Sequence, residues 1–141
     1  MTRKRQRFRK AFTMVEILVV VIIIGVLAAL IAPRFLGKVA QARAAVAKQQ
    51  VEEIGKAVDR FALEYERYPT SLDELVVRPS DIPEDRPFSP SIRKKDLTDP
   101  WGHPFVYKYP GDHTDVPYDL YCQGADGQDG GEGDNADITN W

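Results

Sequence analysis

The sequence predicts an α+β protein in which a long N-terminal helix, half transmembrane and half amphipathic, packs on a small antiparallel β-sheet head. Three observations lead to this prediction. An almost uncharged apolar run covers residues 12–32, a helical repeat of apolar residues continues to about residue 66, and two short aromatic and β-branched segments follow later in the chain. With 141 residues, the chain has room for one modest folded domain besides the helix.

The N-terminus combines a basic leader with an apolar segment long enough to span a bilayer. Six of the first ten residues are basic, and residues 12–32 reach the ~20 residues that a spanning helix needs. The positive-inside rule keeps residues 1–11 in the cytoplasm and sends the remainder outward. A secretory signal peptide begins in the same way, and 28–32 resembles its cleavage site. Glu16 argues against that alternative, because a carboxylate inside an apolar run costs about 2–3 kcal/mol and marks a functional group.

The residues around Glu16 form an ordered motif. Lys10-Ala11-Phe12-Thr13-Met14-Val15-Glu16 precedes the apolar run ILVVVIIIGVLAALIAP, and together they resemble the class III signal of type IV pilins and pseudopilins. The resemblance implies that a prepilin peptidase removes residues 1–11 by cutting between Ala11 and Phe12, and that Phe12 is then N-methylated. It also implies that residues 12–33 stay on the protein as a transmembrane and filament-core helix. Family members usually carry glycine where this chain has Ala11.

Glu16 is the expected assembly residue. In the membrane its carboxylate offsets the Phe12 amine, and in a filament it pairs with the Phe12 amine of a neighbouring copy. An uncompensated carboxylate in an apolar filament core costs on the order of several kcal/mol, so this pairing would fix the axial step. The alternative is a side chain that merely reaches the membrane interface.

An apolar seam continues the helix beyond the membrane segment. Its members recur in alternating steps of four and three, small in the first half and large in the second: Ala40, Ala44, Ala47, Val51, Ile54, Val58, Phe61 and Tyr65. We expect residues 12 to about 66 to form one helix of roughly 80 Å, weakened or kinked at Gly25 and Pro33. Residues 34–66 are its amphipathic part, and the large seam residues hold a head. A two-stranded coiled coil is the alternative.

The head is expected to comprise residues 67–141. A short helix with a capping box is predicted at 70–75. The aromatic and β-branched segments 105–109 and 118–122 flank a Pro-Gly turn at 110–113, which predicts an antiparallel hairpin. The C-terminal tail is expected to fold back onto this head.

Three stretches of the head carry a second and more specific resemblance. RYPTSLDEL, DPWGHPFVY and YDLYCQGADGQDGGEGDNADITNW are similar to the major pseudopilins of type II secretion systems. This resemblance implies the major structural subunit of a pseudopilus, which polymerises through its N-terminal helix to drive protein export across the outer membrane. The alternatives are a type IV pilin and a minor pseudopilin. Pilins commonly carry a C-terminal cysteine pair, whereas this chain has only Cys122.

The same resemblance implies partners and a location. We expect a homopolymeric helical filament, processing by prepilin peptidase, and contacts with minor pseudopilins and the secretion platform of the inner membrane. The chain would cross the bacterial inner membrane once, with its head in the periplasm, and would join a periplasmic pseudopilus. The basic leader is interpreted as a topology signal rather than a nucleic-acid site. No small-molecule substrate is expected.

The segment 124–137 is the most unusual in composition. It holds five glycines and five acids in fourteen residues, so it repels itself and cannot build a core. Ca²⁺ accepts about six to eight oxygens in a tolerant geometry, and glycines let backbone carbonyls turn inward. The spacing does not match an EF-hand. The sequence therefore favours a calcium loop of another kind at about 123–138, and a metal-free acidic tail is the alternative.

The resemblance supplies the expected calcium ligands. Carried over by position, they are the carboxylates of Asp126, Asp134 and Asp137 and the backbone oxygens of Gln123 and Gln128. Many relatives have leucine where this chain has Gln123, which a backbone ligand tolerates. Asp129 and Glu132 are interpreted as solvated charges.

No catalytic set can be assembled from the sequence, so we expect a structural protein rather than an enzyme. His103 and His113 lie in turn-like sequence and are expected at the surface or in packing contacts. Cys122 is expected to be a small buried hydrophobe. An enzyme that uses the acids of the loop is a poor alternative, because glycine-rich flanks hold carboxylates loosely.

Overall fold

The computed structural model describes residues 12–141 of the chain. The basic leader 1–11, with the predicted cleavage-site residue Ala11, lies outside the described residues. The chain divides into two compact units, one ending at Lys38 and one formed by Val39–Trp141.

Helix α1 is continuous from Met14 to Tyr65. Thr13 acts as its N-cap, because the Thr13 hydroxyl accepts a hydrogen bond of 3.2 Å from the backbone N–H of Glu16. Neither Gly25 nor Pro33 ends the helix. The predicted single long helix is therefore confirmed.

The second half of α1 carries the core of the head. Five residues of the predicted seam are buried: Ala47, Val51, Ile54, Val58 and Phe61. Ala40 and Ala44 are only partly buried, in keeping with the predicted division between a small-residue half and a large-residue half. The buried partners in the rest of the head are Leu72, Leu75, Ile82, Phe105, Tyr118, Leu120 and Cys122. Burying one such large apolar side chain stabilises the fold by about 1.5–3 kcal/mol.

A change of backbone conformation ends α1. Glu66 has a φ of +59°, in the left-handed region that side chains rarely adopt. Three residues later Pro69 excludes further helix. The guanidinium of Arg86 donates a hydrogen bond to the Glu64 carbonyl in the last turn and lies 5.2 Å from the centre of the Tyr65 ring. This contact satisfies one of the carbonyls that a helix end leaves free.

The head contains a three-stranded antiparallel sheet. Strand β1 is Val106–Lys108, β2 is Asp119–Cys122 and β3 is Ile138–Thr139, in the spatial order β1-β2-β3. Val106 pairs with Tyr121, and Cys122 pairs with Ile138. The predicted hairpin is confirmed. Strand β3 was not predicted as a strand, although the tail does fold back onto the head.

The predicted short helix is a single 3-10 turn, Leu72–Leu75, whose two leucines are buried. The expected capping box is not formed, because Ser71 makes no side-chain hydrogen bond to the helix start. Instead, the Thr70 hydroxyl donates to the Glu74 carboxylate, which also pairs with Arg67 at 2.8 Å. Two further 3-10 turns are Lys94–Leu97 and Gly133–Asn135.

The left-handed residue at the end of α1 gives a first prediction. Glu66→Gly should raise the free energy of unfolding of the head by ~0.5–1 kcal/mol, because glycine adopts positive φ without a Cβ penalty. Thermal unfolding in detergent, followed by the fluorescence of Trp101 and Trp141, measures the change. The matched control is Glu64→Gly inside the helix, which should lower stability by about 1 kcal/mol. Equal changes in the free energy of unfolding from the two substitutions would contradict the left-handed conformation of Glu66.

Candidate functional site

The acidic loop connects β2 to β3 and is closed at its base. The pairing of Cys122 with Ile138 holds the two ends together. Within the loop, the backbone N–H of Ala125 donates to the Asp134 carbonyl at 3.0 Å. The segment is therefore a folded loop anchored to the sheet.

Glycines shape the course of this loop. Five of its residues have positive φ: Gly124, Gly127, Gly130, Gly131 and Gly133. A Cβ on Gly124 or on Gly131 would lie only 2.6 Å from the backbone oxygen of Asn135. Both positions accept glycine alone, since backbone atoms cannot move aside as a flexible side chain can.

The predicted ligands occupy different environments. One oxygen of Asp137 accepts a hydrogen bond of 2.8 Å from the backbone N–H of Gly130, while its Oδ1 is buried without a hydrogen-bond partner. Asp126 is exposed and accepts the backbone N–H of Gln128 at 3.2 Å. Asp134 is exposed. A buried carboxylate oxygen without a hydrogen-bond partner is costly, and Asp137 Oδ1 is such an oxygen.

The two predicted backbone ligands are Gln123 and Gln128. Among residues 12–141, neither contributes its carbonyl to the backbone hydrogen bonds that link turns and loops. Oxygens of this kind are available to a cation.

The loop does not assemble a cluster of carboxylates. Within the described part of the chain, no group of three or more His, Cys, Asp or Glu side chains is placed to hold a metal ion. Asp126, Asp134 and Asp137 are therefore not grouped as three carboxylates in this structure, and their role as ligands stays a prediction. A Ca²⁺ ion here would need backbone oxygens for much of its coordination shell. The buried Asp137 oxygen and a glycine-rich backbone fit that donor class.

Asp129 is exposed, as expected of a solvated charge, but it also makes contacts within the head. Its carboxylate accepts hydrogen bonds from the Tyr121 hydroxyl at 3.0 Å and from Gln123 Nε2 at 2.8 Å. The hydrogen bond from Gln123, and then that from Tyr121, hold the pKa of Asp129 below its usual value. Burial and the hydrogen bond to Asp129 raise the pKa of Tyr121 to about 12. Asp129 therefore ties the loop to β2. The signal in the sequence was the pair of polar donors two residues apart at the end of β2.

A second structured turn, residues 98–104, also borders the loop. Asp99 is buried, and its Oδ1 accepts the backbone N–H groups of Trp101, Gly102 and His103 at 2.8–2.9 Å. Burial raises the pKa of the Cys122 thiol, and the negative charges of Asp99 and Asp137 raise it further. The turn and the loop thus both approach the buried end of β2.

The tail is anchored at the other end of β2. The buried Asp119 accepts the backbone N–H groups of Asp112 and His113 at 2.8 and 3.3 Å and lies 3.2 Å from His113 Nδ1. The His113 ring stacks on Trp141 with centroids 3.9 Å apart. Burial tends to raise the pKa of Asp119, but these donors outweigh it and hold the pKa below its usual 3.8.

The second prediction concerns this buried carboxylate. Asp119→Asn should lower the free energy of unfolding at pH 7 by about 1–3 kcal/mol, because two backbone donors and His113 lose a charged acceptor. The stabilisation exists above the unfolded-state value of 3.8 and disappears as the pH falls through the lower folded-state pKa. The difference in the free energy of unfolding between wild type and Asp119→Asn should therefore become smaller below about pH 4. Tryptophan fluorescence melts at a series of pH values from about 3 to about 8 measure the change.

Asp112→Asn is the matched control for this prediction. The Asp112 carboxylate is mostly exposed and pairs with Lys108, so its loss should cost less than about 1 kcal/mol. If the free energies of unfolding of wild type and Asp119→Asn differed by the same amount down to the lowest pH, the role of the ionised carboxylate would be contradicted.

The N-terminal part of α1 forms a separate candidate surface. The stretch Met14–Ile31 is long and apolar enough to cross a membrane, and none of it is buried. Phe12 is 75% exposed, and Glu16 lies exposed in the first turn of the helix. An apolar surface of this size needs a cover of lipid or protein.

Comparisons with known proteins agree with this division of the chain. The family described as "Type II secretion system (T2SS), protein G" matches residues 34–141, and the "Prokaryotic N-terminal methylation motif" matches residues 6–32.

Relatives match the chain over almost its full length. The type II secretion system core protein G of Pseudomonas aeruginosa is 40% identical and covers 97% of this chain and 98% of its own. The protein of the same description from Vibrio cholerae is 39% identical, with 98% and 95% covered. The crystal structure of the major pseudopilin from the type 2 secretion system of enterohaemorrhagic Escherichia coli matches with a TM-score of 0.57 and 30% identity, covering 75% of this chain and 92% of that one.

Proposed function

The chain belongs to the type II secretion system protein G family, the major pseudopilins, and from this premise we propose that its copies polymerise into a secretion pseudopilus. One observation carries the proposal. The exposed apolar stretch Met14–Ile31 belongs to the same helix, α1, whose later residues form the core of a folded head. The apolar stretch can exchange a lipid environment for the equivalent stretches of other copies, while the head stays folded.

Glu16 provides the register of assembly in this proposal. Prepilin peptidase cuts between Ala11 and Phe12, and the new amine of Phe12 is N-methylated. Glu16 then lies in the first turn of α1, four residues from that amine. Inside a filament the Glu16 carboxylate pairs with the Phe12 amine of an adjacent copy. An unpaired charge there would be penalised strongly, so incorrect axial steps are disfavoured.

The location and partners follow from the same premise. The chain crosses the inner membrane once, with its head in the periplasm, and the assembled pseudopilus extends there. Minor pseudopilins and the inner-membrane secretion platform are its partners, and growth of the filament drives protein export across the outer membrane. The chain acts as a structural subunit rather than as an enzyme.

The third prediction tests Glu16. Glu16→Gln keeps the shape of the side chain but removes its charge, so the protein should be processed and held in the membrane yet form at least about tenfold fewer fibres, because the neutral amide cannot form an ion pair with the Phe12 amine. Counting sheared fibres by electron microscopy measures assembly. Mass analysis of the mature N-terminus verifies that cleavage is intact. Val15→Gln, with an amide beside an intact Glu16, controls for added polarity. Normal fibre numbers from Glu16→Gln would refute the pairing.

We further propose that the loop at 123–138 holds one Ca²⁺ ion. Its ligands are the carboxylates and carbonyls predicted above: Asp126, Asp134, Asp137, the Gln123 oxygen and the Gln128 oxygen. The buried Oδ1 of Asp137, which lacks a partner, supports this assignment. When bound, the ion offsets the repulsion among the acids of the loop. Since the single Cys122 cannot form an internal disulfide, the free energy of metal binding would contribute directly to folding.

The fourth prediction tests the ion. At free Ca²⁺ of ~100 times Kd, the head should gain about 2.7 kcal/mol of stability over the chelated protein. Asp126→Ala should abolish most of this gain by removing a ligand. The matched control is Glu132→Ala, an exposed acid of the same loop outside the ligand set, which should keep the gain. Tryptophan fluorescence melts in Ca²⁺ and in EGTA give the comparison. Identical melts of wild type in both conditions would end the calcium proposal.

A further inference from the structure

Buried polar atoms without a hydrogen-bond partner occur in the acidic loop and in the turn at 98–104 that contacts it. Among residues 12–141, four buried side-chain atoms lack a hydrogen-bond partner: Gln50 Oε1, Asp99 Oδ2, His103 Nδ1 and Asp137 Oδ1. Gln50 lies on α1 and donates through Nε2 to the Thr98 carbonyl at 3.2 Å. The four atoms therefore belong to α1, to the turn at 98–104 and to the loop itself. A buried polar atom without a hydrogen-bond partner costs free energy, so each of these atoms needs an explanation.

Two of these atoms form a near pair. His103 Nδ1 lies 3.7 Å from Asp99 Oδ2, and neither atom has another partner. Asp99 itself is fixed, because its other oxygen accepts three backbone N–H groups of the turn. A shift of a few tenths of an ångström converts the near pair into an Nδ1–H···Oδ2 hydrogen bond. Asp99 can thereby set the orientation of the imidazole.

The opposite end of the imidazole rests on the loop. A Cβ at Gly127 would lie 3.0 Å from His103 Nε2, 3.1 Å from Cε1 and 3.2 Å from Cδ2. Gly127 has a φ of +66° and stands between Asp126 and Gln128, two of the proposed calcium ligands. The ring therefore occupies the space that the absence of a side chain leaves at the centre of this turn.

We propose that His103 is a positioning residue for the calcium loop: held by Asp99, its imidazole fixes the Gly127 turn and so presents Asp126 and Gln128 to the ion. The role given to His103 rests on the calcium site proposed above. A glycine-rich turn without a support would be ordered only when the ion binds, and the entropy of that ordering would weaken binding. A supporting group next to a ligand shell typically changes metal affinity by about 10–100-fold.

The exposure of His103 distinguishes a positioning role in metal binding from a role in packing the hydrophobic core. Its side chain is 34% exposed and is not among the buried residues of the hydrophobic core. Removing the ring therefore opens no large core cavity, and the metal-free head should keep its stability. The effect should fall on metal binding instead.

The test compares the two histidines of the chain in the full-length protein in detergent. Isothermal titration with Ca²⁺ gives Kd, and fluorescence melts in EGTA give the metal-free melting temperature. His103→Ala should raise Kd by ~10-fold or more and leave the melting temperature in EGTA nearly unchanged. The matched control is His113→Ala, which removes the stacking on Trp141 and the contact with Asp119. It should lower the melting temperature in EGTA without changing Kd.

A measurement on the unmodified protein makes the test independent of any variant. In nitrogen-15 NMR spectra at fixed pH, addition of Ca²⁺ should shift the imidazole nitrogens of His103 and leave those of His113 in place. An unchanged Kd for His103→Ala, an equal loss of metal-free stability in both variants, or an unmoved His103 signal would overturn the positioning role. If the wild-type protein did not bind Ca²⁺ at all, the calcium site proposed above would be refuted, which the titration distinguishes from a failure of the His103 role alone.

Discussion

The packing of one face of α1 against the head is the interaction on which the rest of the structure depends. Ile54, Val58 and Phe61 are essentially inaccessible to solvent, and Leu75 and Leu120 from the head are buried in the same core. Each of these side chains contributes on the order of 2 kcal/mol, and no disulfide adds to them. The exposed apolar stretch Met14–Ile31 belongs to the same helix.

Arginines of residues 67–97, the connector that follows α1, supplement this small core next to the last turn of the helix. Guanidinium groups lie over aromatic rings in three places, Arg67 over Phe61, Arg86 over Tyr65 and Arg78 over Phe88. Exposed ion pairs alone contribute little, about 0–1 kcal/mol. An arginine on an aromatic ring also covers apolar surface with its stem, and it can donate to free carbonyls at a helix end. The connector thus packs on α1 with few apolar side chains of its own.

The sequence predicted those elements whose evidence lies in neighbouring residues, as a periodic pattern or as a turn motif. The seam of α1 repeats over seven turns, and the hairpin has a turn between two aromatic segments, so both were predicted correctly. Strand β3 has only two residues and no periodicity; its pairing with β2 depends on the intervening loop. The capping box failed because Arg67 holds the Glu74 carboxylate elsewhere. The contact of His103 with Gly127 joins two turns that are distant in sequence, which spacing does not reveal. Cleavage at Ala11 and the calcium ligands stay predictions.

The glycines of the acidic loop restrict how this site can evolve. A side chain at Gly124 or Gly131 would collide with the Asn135 backbone, and the other loop glycines also have positive φ. Gly124 and Gly131 are thereby closed to substitution by the backbone alone, and a side chain at the other three glycines is disfavoured by their positive φ. At the calcium site that we propose, natural variation or engineering that alters cation preference must therefore act through the remaining side chains, with the path of the main chain held constant.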